Sequence, residues 1–107
     1  MTQGAGPALP PEEPAQLGLG DFEPHIGTRF AVDTSAGAQP LILTSATAIP
    51  NSPRPAGGFQ LEFSGPAQPT LSQGIYAFAA EGIAHEIFIS PVGRAADGAV
   101  QYHAVFF

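Results

Sequence analysis

Phe59-Gln60-Leu61-Glu62-Phe63 alternates apolar and polar residues without a break. Successive side chains of an extended strand point to opposite faces, so this period of two places Phe59, Leu61 and Phe63 together and turns Gln60 and Glu62 to water. The same signature recurs along the chain in short runs bounded by Gly, Pro, Asn and Ser, and no apolar pattern of helical period accompanies it. A chain patterned this way has to bury one face of each of several strands, which predicts an all-β domain.

Six strands follow from the pattern. Thr28–Asp33 puts Phe30 and Val32 on one face, and Gly37–Pro40 reads as a break after it. Leu41–Ile49 is a longer β-branched run in which Leu41, Leu43, Thr47 and Ile49 share parity, and Pro50 stops it. After the loop Asn51–Gly58 comes the Phe59–Phe63 strand. Gly65–Gly74 is a second connection, shaped by docking of Leu71, and Ile75–Glu81 follows with Tyr76 and Phe78. Glu81-Gly82 predicts a tight hairpin turn into Ile83–Val92. There Ile87 and Ile89 oppose Phe88, so both faces are apolar and the strand is expected in a central or doubly covered position. Gly93–Gly98 is a hairpin loop before the last strand, Ala99–Phe107. The expected architecture is a small antiparallel six-stranded meander that closes into a barrel or sandwich, since closure protects the edges. Its core is expected to hold Phe30, Val32, Leu41, Leu43, Phe59, Leu61, Phe63, Phe78, Ile87, Ile89, Tyr102 and Ala104.

The N-terminal stretch is different in kind. From Met1 to Gly20 the residues are mostly Gly, Ala, Pro, Gln and Glu, with Pro10-Pro11 and Pro14 blocking a helix. Residues 1–20 therefore read as an extended arm and 21–107 as one β-domain. Twenty extended residues reach about 65 Å, enough to cross a neighbouring subunit. Leu9, Leu17 and Leu19 are the arm's sizeable apolar groups and its candidate anchors on a second copy of the chain. The arm has no basic residue and no apolar run of leader length, which argues against classical secretion. A cytoplasmic chain and one in an exported assembly both stay open.

Charge narrows the choice of partners. The chain has no Lys, only Arg29, Arg54 and Arg94 as cations, nine carboxylates and a net charge of −6. Binding nucleic acid through phosphates needs a basic stripe that is missing here. No run approaches the roughly 20 apolar residues of a membrane helix. The absence of Cys removes disulfides, thiolate metal sites and cysteine nucleophiles.

Candidate chemistry is sparse. His25, His85 and His103 lie at no spacing that would set two metal ligands on one element, so no metal or cofactor is expected. His85-Glu86 resembles the start of a zinc-protease motif, but Ile89 stands where the second His would be needed. His25, after Pro24, reads as an imidazole capping the entry turn. Glu62 and Glu86 fall on solvent faces, and no glycine pattern forms a phosphate loop or a dinucleotide fingerprint. A hydrolase site built from His25, His85 and Glu86 is the lowest of three functional expectations. Above it stands a monomeric module binding a small ligand or a peptide edge-on. First comes a non-catalytic, self-associating structural subunit.

The segments Phe22–Phe30, Phe59–Pro66, Leu71–Tyr76 and Tyr102–Phe106, arriving in that order, resemble the bacterial family known as domain of unknown function 6916. The resemblance covers about residues 22–107. It implies no catalytic residues, and it implies companionship with phage-tail-collar-like proteins and a role in a phage-tail-like or filamentous surface structure. Tyr76, Tyr102, Phe88, Phe106 and Phe107 exceed what one barrel face needs, so either part of this set forms a contact patch or both faces of the last strands are covered by the arm or by loops. Tyr76, Phe88 and Phe107 join Leu9, Leu17 and Leu19 as the candidate interface.

Overall fold

The computed structural model describes residues 17–55, 57–80 and 82–107. Two single-turn 3₁₀ helices, Leu19–Asp21 and Glu23–His25, lead into six strands: β1 (Arg29–Thr34), β2 (Gly37–Ile49), β3 (Gly58–Gly65), β4 (Gly74–Ala80), β5 (Ile83–Arg94) and β6 (Val100–Phe106). All pairings are antiparallel and the sheet closes as a barrel in the order β1-β2-β3-β6-β5-β4. The all-β barrel is as expected, but its path is not a simple meander. β1-β2-β3 and β4-β5-β6 are each a meander, and the chain crosses one end of the barrel between them so that β4 lies beside β1, the Greek-key order.

The alternation of each strand is realised as burial. β3 turns Phe59, Leu61 and Phe63 inward, and all twelve expected core residues are buried. Phe30, Phe63 and Phe78 pack with ring centroids 5.0–6.1 Å apart, in tilted and edge-to-face arrangements. Four more residues join this core: Leu17, Phe22, Leu71 and Val100.

Two local readings change. Gly37–Pro40 does not break the sheet; it belongs to β2, and the turn falls one step earlier, at Ser35-Ala36. Thr34 sets that turn, its hydroxyl donating to the Gly37 carbonyl at 2.6 Å and accepting from the Ala36 amide at 3.1 Å. Further along β2, Leu43 pairs with Phe63 but Ser45 pairs with Glu62, leaving Thr44 as an extra residue. This bulge flips the parity of everything after it. Ala46 therefore packs against the core and Thr47 faces out, contrary to the expected Leu41, Leu43, Thr47, Ile49 face. The Thr44 hydroxyl donates to the Glu62 carbonyl across the bulge at 3.1 Å.

Each end of the barrel is closed by a connecting segment. At one end Phe22, entirely buried, sits against Phe59, Phe106 and His85 at ring distances of 5.7, 6.1 and 6.0 Å. Phe59 and Phe106 stack at 4.4 Å, and the Arg54 guanidinium lies over both rings while donating to the Leu17 carbonyl at 2.9 Å. At the other end the β3–β4 crossover is held by two side chains. The Leu71 amide donates to the Tyr102 hydroxyl at 2.8 Å in a buried bond. Arg94 donates to the carbonyls of Ala67 and Gly98, both at 3.0 Å, and to the Thr70 hydroxyl at 2.8 Å.

Candidate functional site

The barrel interior is filled by Phe, Leu, Ile, Val and Tyr102 side chains, so the residues available for recognition stand on its outer face. The three histidines are distributed rather than gathered. His25 places its ring edge-on to Phe30 at 6.4 Å, and it is its backbone carbonyl, not its imidazole, that accepts from the Thr28 amide in the entry turn. His85 packs beside Phe22, whereas Glu86, its neighbour on β5, is exposed on the opposite face. A strand directs adjacent residues apart, so His85 and Glu86 do not converge. His103 lies opposite Glu62 on the β3–β6 pair. Among the described residues no group of three His, Asp or Glu side chains could hold a metal ion, and no helix is long and apolar enough to cross a membrane.

The expected interface residues separate into two groups. Leu17 is 1% exposed inside its own barrel, and Leu19 packs against the same core, so neither is available to anchor a second copy. Leu17 and Leu19, expected in the arm, thus pack on the β-domain. Leu9 lies outside the described residues. Tyr76 leans on the core and donates its hydroxyl to the Ser72 carbonyl at 2.6 Å, which makes it a brace for the crossover. Tyr102 and Phe106 are likewise structural.

Phe88 and Phe107 do face solvent, at 51% and 59% exposure. Of the central and the doubly covered position open to β5, double cover is not present among the described residues. Phe88 pairs with Ile75 of β4, itself 67% exposed, and Val105 of β6 is 51% exposed. These residues form an outward apolar stripe across three adjacent strands. The β5–β6 ladder stops at Ser90 and His103. Beyond it lies a cleft of about 240 Å³ lined by Ile75, Glu86, Phe88, Val105 and Phe106. Glu86 is its one charged group. Sequence reasoning missed Ile75 and Val105, although Val105 shares parity with Phe107 and Ile75 opposes the inward side of β4.

A second surface lies on β1 and β2. Arg29, Ala31, Ala38, Pro40 and Ala79 border a depression of about 300 Å³, and Arg29 with Pro40 also borders a second one beside Ile42, Ser64 and Pro66. Small side chains make this face hollow where the β4–β5–β6 face is bulky.

None of the curated proteins and none of the solved structures compared with the chain matches it. A family model does, over residues 17–106, which begins at the first buried leucine and runs to the end of β6. The chain belongs to the family described as domain of unknown function (DUF6916).

Proposed function

We propose that the chain is a non-catalytic structural subunit that assembles with other copies of itself, as part of a filamentous or phage-tail-like structure. The observation that carries this reading is the apolar stripe of Ile75, Phe88 and Val105 on the outside of a barrel whose inside is already filled. A filled interior argues against a small ligand held in the barrel, and bulky apolar groups contiguous on a surface favour a macromolecular contact. Residues 1–16 belong to the proposal as a second source of contacts.

Sedimentation velocity over a concentration series tests it. The full chain is expected to gain mass with concentration, and a chain starting at Leu17 is expected to stay folded and associate more weakly. A monomer at every concentration would refute the assembly reading. A monomer would favour the alternative, capture of an extended peptide, which is supported by the stretch Ile83–Ile89 of β5 lying beyond the β5–β6 ladder.

A further inference from the structure

The three cations of this chain are not equivalent. Arg94 is engaged by the crossover and Arg54 by the Leu17 carbonyl and two aromatic rings. Arg29 is exposed on β1 and has no hydrogen bond or ion pair among the described residues. It stands at the edge of the hollow face of Ala31, Ala38, Pro40 and Ala79. Glu86 is exposed on β5 in the same condition, at the edge of the bulky face of Ile75, Phe88 and Val105. Arg29 on β1 and Glu86 on β5 have only β4 between them, and β4 supplies Ala79 to one face and Ile75 to the other, so the two faces adjoin across β4.

We propose that these two faces bind each other between copies, the bulky β4–β5–β6 face of one chain seating in the hollow β1–β2 face of the next, with Glu86 of one copy paired to Arg29 of its neighbour. The two faces match in two respects at once: apolar against apolar, and carboxylate against guanidinium. Charge matching of this kind fixes register and excludes the alternatives. A bulky face against a second bulky face would oppose two Glu86 carboxylates in a chain already at −6, which disfavours a symmetric dimer. The contact is therefore heterologous. Because each copy keeps one face free after pairing, association continues beyond a dimer. This inference rests on the self-association proposed above and names its surfaces.

Charge reversal tests it. Arg29→Glu and Glu86→Arg lie on exposed strand positions and are each expected to leave the melting curve of the monomer unchanged. Each alone is expected to weaken association by about tenfold or more. An equimolar mixture of the two variants restores a carboxylate–guanidinium pair at every contact, and its mass is expected to rise with concentration as for the unmodified chain. Recovery in the mixture supports the proposal, because a merely structural effect of either substitution would persist. Unmodified chains that assemble while both variants assemble equally well would overturn this interface and leave self-association itself standing. An unmodified chain that never assembles would overturn both. A discrete dimer that grows no further would overturn the heterologous geometry.

Discussion

Replacing Phe22 with Ala tests whether the segment before β1 is part of the folded unit or an attachment to it. Phe22 precedes every strand, yet it has no exposed surface and its ring meets Phe59, His85 and Phe106. Withdrawing such a side chain from water contributes about 1.5–3 kcal/mol. Its removal also leaves a cavity, because Phe59 and Phe106 are held by their mutual stacking and by β3–β6 pairing and cannot collapse into the space. The total expected loss is about 3–5 kcal/mol. A domain of this size has a stability of about 5–14 kcal/mol, at about 0.05–0.15 kcal/mol per residue, so the variant should lose between a quarter and most of it. Urea denaturation followed by circular dichroism reads this as a lower midpoint at unchanged slope. Phe88→Ala, on the outer face, serves as the control and should shift the midpoint little. Equal midpoints for Phe22→Ala and the unmodified chain would show that Leu17–His25 is not part of the cooperative unit.

Two further substitutions probe the closures. Tyr102→Phe removes the acceptor of the buried Leu71 amide and should cost about 1–3 kcal/mol, with faster hydrogen exchange confined to the 66–73 crossover; unchanged exchange there would mean that the bond does not hold the loop. Gly58→Ala would bring a Cβ within 2.6 Å of the Ser52 Cβ and 3.1 Å of the Phe106 carbonyl oxygen. It should destabilise by about 1–3 kcal/mol, whereas Gly93→Ala, with nothing within 4 Å, should be nearly neutral in the same thermal melt.

Outside β2, alternation alone located the strands and their inward faces, because the period-two geometry of an extended backbone is a local property carried by each run of five or six residues. Phe59, Leu61 and Phe63 needed no partner to be recognised as core. Of the turn expected at Glu81-Gly82, Glu81 lies outside the described residues, while its other half was equally legible: Ala80 pairs with Ile83 and Gly82 has φ of 72°, a conformation that glycine adopts at little cost. What the tertiary structure decided depends on residues distant in sequence. Leu17 reads as arm because its neighbours are Pro, Gly and Gln, and it is core because Arg54, 37 residues on, donates to its carbonyl at the mouth of the barrel. The parity flip at Thr44 exists only against the Glu62 carbonyl of β3, and the placement of β4 beside β1 depends on how the barrel closes. The candidate surface follows the same division. Phe88 could be suspected from excess aromatic content, but its grouping with Ile75 and Val105, and its separation from Arg29 by β4, arise from strand order around the ring. A period-two pattern says which way a side chain points; it carries no information about which strand stands beside it.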